Sequence, residues 1–251
     1  MHDTAHAIGR LFFETYFPGR AIAILDIGSQ SINGSLRDCA PAGSLYTGVD
    51  LVAGPGVDIV LESPPYLPFG DRSFDAVVSS SAFEHDPAFW LTFIEMLRVT
   101  KAGGLVYVNS PSNGEYHRYP GDNWRFYPDA AVALAEWARQ QGHDAELVES
   151  FIARRRADQW NDCVMVFRLG AGDLPVARRI VDSLPDARNI RRGAAGAVER
   201  QERQTEDMLL LAEAQARLAA RERELAEIAA ELRQVQAKLS ALVPDWVGFD
   251  C

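Results

Sequence analysis

The sequence predicts an α/β fold, a doubly wound and mostly parallel sheet of seven strands followed by a long C-terminal helix. Short apolar runs alternate with helical stretches along residues 1–170, the signature of successive βα units. The run Ala21-Ile-Ala-Ile-Leu25 passes without a polar break into Asp26 and a turn holding Gly28 and Gly34, as expected of a central strand buried on both faces. From residue 197 to 242 neither Gly nor Pro occurs, and Ala, Glu, Arg, Gln and Leu dominate, as in a long helix.

The elements follow in order. Residues 3–17 place Ala7, Ile8, Leu11, Phe12 and Tyr16 on one helical face, and Pro18-Gly19 ends it. The strand at 21–27 comes next, then at most a turn or two of helix at 35–39. A second strand spans 44–50 and ends in Asp50; Gly54-Pro55-Gly56 leaves no room for a helix before the third at 57–61. The fourth covers 73–80 and leads to a helix at 87–99, with Asp86 as its cap and Pro87 in the first turn. Gly103-Gly104 introduces a fifth strand at 105–109. A polar and aromatic segment, 110–127, precedes a helix at 128–141 and two strands at 145–152 and 164–169.

Beyond the domain at 1–170, Gly and Pro residues mark 171–196 as a linker, 197–243 as a coiled-coil helix and 244–251 as a tail. Leu211, Leu218, Leu225, Leu232 and Leu239 recur every seven residues; with these at heptad position a, Ala214, Arg221, Ile228, Val235 and Leu242 fall at d. Such a seam suits a homo-oligomer or a partner helix; the alternative is a helix folded back on its own domain. On the first view, a chain cut after residue 170 stays folded.

Composition narrows the function. A net charge of −10 over 251 residues is the wrong sign for a bulk nucleic-acid binder. The basic clusters Arg154–Arg156, Arg178-Arg179 and Arg191-Arg192 are either solvated faces or local sites for an anionic acceptor. No apolar run approaches the ~20 residues of a membrane span, and Met1–Ala7 lacks the features of a signal peptide. Cys39, Cys163 and Cys251 are scattered and without metal-type spacing, which points to a reducing, cytoplasmic setting and to no metal. Gly28-Ser-Gln-Ser-Ile-Asn-Gly34 is not the Gly-x-Gly-x-x-Gly of a nicotinamide site, and no Gly-Lys-Ser/Thr phosphate loop occurs. Asp26 suits an ammonium group, Gly28 admits close backbone approach, and Asp50 at the next strand end suits the two hydroxyls of a ribose.

The ordered set Ile24-Leu-Asp-Ile-Gly-Ser29, Gly48-Val-Asp50, Leu67-Pro-Phe-Gly-Asp-Arg-Ser-Phe-Asp-Ala-Val-Val78, Glu84-His85 and Glu95–Gly104 resembles class I S-adenosylmethionine-dependent methyltransferases of the type 11 branch, over about residues 20–170. The resemblance implies a Rossmann-like methyltransferase fold with S-adenosyl-L-methionine as cofactor. It implies that Asp26, Gly28 and Ser29 line the methionine end and that Asp50 takes the ribose, with Leu51 near the adenine. Glu62 or Ser63 would meet the adenine amino group, and Ser80 and Ser81 would lie near the sulfonium. The chain departs from the family at Gln30–Asn33, where a more glycine-rich loop is usual, and at Lys101-Ala-Gly-Gly104 in place of Lys-Pro-Gly-Gly. His117-Arg-Tyr-Pro-Gly-Asp-Asn-Trp-Arg-Phe126 resembles a bacterial subgroup often found with glycan-biosynthesis enzymes, an association rather than a mechanism.

Methyl transfer is an in-line displacement that depends largely on positioning, with a base for acceptors of high pKa. His85, His117 and Asp122 are the candidate bases. Tyr116, Tyr119, Trp124 and Phe126 are candidates to stack on an acceptor, and Arg125 pairs either with an acceptor anion or with Asp122. The expected function is methyl transfer to a small-molecule or glycan acceptor, at oxygen; the alternative is an inactive methyltransferase-like scaffold acting through its coiled coil.

Overall fold

The computed structural model describes residues 2–170 and 176–242, which fall into two units, one ending at Glu202 and one beginning at Arg203. In the first unit, α1 (Asp3–Tyr16), β1 (Ala23–Ile27), β2 (Leu45–Asp50), β3 (Ile59–Val60), β4 (Phe74–Ser80), α2 (Phe89–Val99), β5 (Thr100–Pro111), α3 (Asp129–Gln140), β6 (Ala145–Ile152), β7 (Asp162–Leu169) and β8 (Arg188–Arg191) follow in sequence. The strands form one sheet in the order β3-β2-β1-β4-β5-β7-β6-β8. β1 to β5 pair in parallel, and β7 enters antiparallel between β5 and β6. The fold is the expected Rossmann-like one, with eight strands among the described residues rather than seven.

Two apolar layers cover this sheet because its strands alternate with period two. Leu25, Val77, Val106, Val108, Met165 and Phe167 face one side, where Phe93, Met96 and Leu97 of α2 and Leu134 and Ala138 of α3 pack on them. Ile24, Ala76, Val78, Tyr107, Val164 and Val166 face the other, against Ile8, Phe12, Phe13 and Tyr16 of α1. Asp86 and Pro87 are a correction: α2 begins at Phe89 with Ala88 as its N-cap and no side-chain cap. Asp86 instead accepts from the Ala88 N–H (2.8 Å) and the Thr92 hydroxyl (2.5 Å), which ties the preceding turn to the helix.

The segment expected as a linker is a correction. Ile180–Ser183 forms a 3-10 turn, and β8 pairs antiparallel with β6. Ile180, Val181, Ala187 and Ile190 are buried in the α1-side layer. The reason lies on β6. The fully buried Glu149 carboxylate accepts from the Tyr16 hydroxyl (2.5 Å) and from the Ile180 and Val181 N–H groups (2.9 and 3.1 Å). A buried carboxylate needs such donors, and two of the three come from beyond residue 170.

In the second unit, α4 (Glu206–Leu242) starts later than residue 197, because Glu199 bridges to Ile190 and the Glu202 N–H donates to Asn189. The Thr205 hydroxyl accepts from the Met208 N–H and caps the helix. The residues at 171–175 and the tail from 243 lie outside the described residues. Among the described residues no helix is long and apolar enough to cross a membrane.

A chain ending at Glu202 is expected to unfold in urea with the midpoint of the first unit in the full protein. A chain ending at residue 170 loses two donors to Glu149 and part of a core layer, and is expected to be less stable by at least ~3 kcal/mol. Equal midpoints for the two truncations would contradict the role given to Glu149.

Candidate active site

The site lies at the carboxyl end of the sheet. β1 pairs with β2 on one side and β4 on the other, so the chain leaves it in opposite directions and a crevice opens between them. A cavity of about 680 Å³ occupies this position and is lined by Asp26, Gly28, Ser29, Gln30, Asp50, Leu51, Ser80, Ser81, Glu84, His85, His117 and Tyr119, among others.

Asp26 is buried, and its carboxylate accepts from the Tyr46 hydroxyl (2.7 Å). Burial raises its pKa to about 7, against the opposing effects of that hydrogen bond and of Arg37. Gly28 has φ +78°, and a Cβ there would stand 2.5 Å from the Ala82 Cβ, so only glycine fits. The Gly28 and Ser29 N–H groups both donate to the Val49 carbonyl. Asp50 accepts from the Leu51 N–H (2.7 Å) and from the Gln30 N–H (3.0 Å).

These bonds account for the unusual first loop. Gln30 is held by Asp50 through its N–H and accepts at its side-chain oxygen from the Tyr119 hydroxyl (2.6 Å), while the Ser31 N–H donates to Pro55. Side-chain and backbone hydrogen bonds shape the loop where glycines do so in the family pattern.

Ser80 and Ser81 close the opposite wall, with Ser81 at φ +54°, a conformation few non-glycine residues adopt without enforcement by their surroundings. The Ser29, Ser80 and Ser81 hydroxyls are buried without a partner in the protein, as groups awaiting a ligand would be. Glu62 and Ser63 are a correction: both are exposed and neither lines the cavity. The Leu61 N–H donates to the Asp50 backbone carbonyl, the chain then turns outward, and Leu61, Pro64 and Pro65 line the wall instead.

The third wall joins the turn after β4 to the segment after β5. The Glu84 carbonyl accepts from the Asn123 and Trp124 N–H groups (2.7 and 3.2 Å), and the His85 carbonyl accepts from the Asn123 amide (2.8 Å). His85 Nδ1 donates to the Gly121 carbonyl (2.5 Å), which fixes the tautomer and leaves Nε2 a free lone pair. Burial lowers its pKa, so the ring is neutral near pH 7. His117 Nδ1 likewise donates to the Glu115 carbonyl (3.3 Å), and the two imidazoles meet edge to face at 4.9 Å. Glu84 is only 1% exposed, and burial raises its pKa to about 7.

Asp122 is not placed as a base. It lies outside the cavity lining, and Arg125 grips its carboxylate with two bonds (2.5 and 2.8 Å) while the His117 N–H adds a third (2.8 Å). The Arg125 guanidinium chiefly holds the Asp122 pKa down, to about 2. The pair is therefore an internal latch, and Arg125, which also donates to Glu115, is committed to it. Of the expected stacking residues only Tyr119 lines the cavity; Phe126 is in the core, Trp124 packs on Phe89 and Trp90, and Tyr116 is exposed. Trp160 and His2, which sequence reasoning missed, also line the cavity; Trp160 packs on His117, and His2 bonds to Asp162 at 2.7 Å. Their positions follow from contacts distant in sequence, for which no local signal exists.

With this geometry in hand, the fold is of the Rossmann-like methyltransferase type, with its crevice at the carboxyl end of the sheet. Residues 25–108 match the family model described as a methyltransferase domain, of type 11. A protein of Mycobacterium tuberculosis called an uncharacterized methyltransferase is 35% identical over 162 residues, covering 57% of this chain and 61% of that protein. One of Mycobacterium leprae is 34% identical over 161 residues, covering 57% and 58%. The chain thus spans about three fifths of the length of the curated relatives it matches. Among solved structures, the 1,6-didemethyltoxoflavin-N1-methyltransferase of Burkholderia thailandensis, with S-adenosylhomocysteine bound, superposes with a TM-score of 0.52 at 18% identity, covering 67% of this chain and 80% of that one. The cyclase SpnF superposes at 0.50 and 17% identity, covering 66% and 82%. These two likenesses are of fold, and the second neighbour's name shows that this fold alone does not set an activity.

Because Asp122 ionises well below an ordinary carboxylate, its latch stabilises the fold above pH ~4 and that contribution is lost as pH falls through about 2. Asp122→Ala is expected to cost about 2 kcal/mol at pH 7 in urea unfolding and to expose the 113–127 segment to proteolysis. A variant with unchanged stability and protection would exclude the latch.

Proposed function

We propose that the protein is an S-adenosylmethionine-dependent methyltransferase acting on a hydroxyl of a small molecule or glycan, in the cytoplasm. The observation that carries this is one cavity that joins the strand-end acids Asp26 and Asp50 to the lone pairs of His85 and His117. The residues present fit the cofactor. Three orphaned hydroxyls, a glycine that admits close backbone approach and a buried acid opposite an ammonium are what a nucleoside with an amino-acid tail requires. A volume of 680 Å³ falls in the range of small-molecule sites.

In this reading Asp26 faces the ammonium, Asp50 takes the ribose hydroxyls with Leu51 beside the adenine, and Ser80 and Ser81 flank the sulfonium. When bound, the cofactor supplies an electrophilic methyl group. The protein's part is to orient the acceptor and exclude water, and His85 and His117 present their Nε2 atoms for the acceptor hydroxyl.

We further propose that α4 self-associates. Leu211, Leu218, Leu225, Leu232, Leu239, Ile228 and Val235 are each more than half exposed, a seam that heptad pairing would bury. Arg221, at one d position of that seam, pairs with Glu224 (2.7 Å). Sedimentation is expected to show an oligomer for the full chain and a monomer for Leu225→Glu/Leu232→Glu; a monomeric parent would refute self-association.

Calorimetry with S-adenosylmethionine tests the enzyme reading. Asp50→Ala is expected to weaken binding about 100-fold, by loss of two charge-assisted hydrogen bonds. Since Asp26 is neutral below its raised pKa, affinity is expected to rise up to tenfold per unit as pH climbs toward about 7 and to level off above it. Absence of binding would leave the scaffold alternative, and an affinity independent of pH would remove Asp26 from the ammonium.

A further inference from the structure

Glu84, His85 and His117 each offer one ligand atom, and these atoms lie within 4.8 Å of one another in the cavity wall. Cysteine spacing carried no hint of this set, because none of its members is a cysteine and His117 arrives from a different loop. The geometry points to a site for a divalent first-row transition ion, of which zinc is the representative, at the acceptor end of the cavity. This inference rests on the methyltransferase reading for its use, though not for its existence.

Four observations support it. The donor set is two imidazoles and one carboxylate, which suits borderline cations, and three protein ligands leave open positions toward the cavity, as in catalytic rather than structural sites. Both rings are oriented for it: Nδ1 of His85 donates to Gly121 and Nδ1 of His117 to Glu115, which is the outer-shell arrangement that aims Nε2 at a metal. The Glu84 Oε2 atom is buried with no hydrogen-bond partner, on a side chain 1% exposed. A buried, unsatisfied carboxylate oxygen is costly unless a cation meets it, and Arg125, the neighbouring cation, is committed to Asp122. Finally, bond lengths near 2.0–2.2 Å put ligand atoms on one ion about 3–4 Å apart. The observed span needs only small side-chain rotations to reach that; Glu84 Oε1 already stands 3.7 Å from His85 Nε2.

Such an ion would let the two imidazoles act on the acceptor through it rather than as free bases, by lowering the pKa of a coordinated hydroxyl. That hydroxyl loses its proton to water, and its oxygen bonds to the methyl carbon of the sulfonium. The carbon–sulfur electron pair returns to sulfur, leaving neutral S-adenosylhomocysteine.

The test is zinc titration of the full chain, free of any added histidines and stripped with chelator. One ion per chain is expected, with His85→Ala and His117→Ala each weakening binding about 100-fold, while circular dichroism and melting show that His117→Ala, on a surface loop, stays folded. No zinc uptake by the parent, or equal uptake by a folded double variant, would overturn the site. Calorimetry with S-adenosylmethionine on the same samples separates the two claims. Zinc binding without cofactor binding keeps the site and removes its role in methyl transfer; cofactor binding without zinc does the reverse.

Discussion

The parallel pairing of β1 with β4 is the constraint from which the site follows. Its register, Ile24 opposite Ala76 through Ile27 opposite Ser79, sets the Asp26–Gly28 turn beside Ser80 and Ser81. Parallel strands need cover on both faces, so the connections carry α1 and α2 to opposite sides and the backbone parts at the carboxyl ends. The gap between those ends is fixed by the sheet, and the loops only furnish it.

The furnishing is done by hydrogen bonds between loops that are distant in sequence. Asp50 and Tyr119 both hold Gln30, which ties the strand-one loop to strand two and to the segment after β5. The Glu84 carbonyl takes two N–H groups from Asn123 and Trp124, and the Asp122–Arg125 pair stiffens that segment from behind. The outcome is a wall in which two imidazoles have their tautomers set by carbonyls rather than by solvent. Positioning of this kind is what methyl transfer most requires of a protein.

Most of the fold was legible in the sequence because it rests on local patterns. Period-two burial and Pro18-Gly19 after α1 each have a short-range physical cause, whereas Gly103-Gly104, read as preceding the fifth strand, lie inside β5. β8 was not legible. Arg188–Arg191 is polar and short, and it reaches the sheet after a 3-10 turn whose Ile180 N–H is bound by Glu149, 31 residues earlier. At the site, Asp26, Gly28, Ser29, Asp50, Leu51, Ser80 and Ser81 line one cavity, since strand-end positions follow from strand assignment. Glu62 and Ser63 fell outside it because spacing does not reveal which way a coil turns. Asp122 was an open choice between base and salt bridge, and the bidentate grip of Arg125 decides it.

The central claim is that one crevice holds the cofactor with its sulfonium toward the Glu84–His85–His117 wall. A crystal structure of the full chain with S-adenosylhomocysteine tests it most directly. The account predicts both ribose hydroxyls within hydrogen-bond distance of the Asp50 carboxylate and the sulfur facing that wall. A ribose bound away from Asp50, or a sulfur directed away from the histidines, would contradict it.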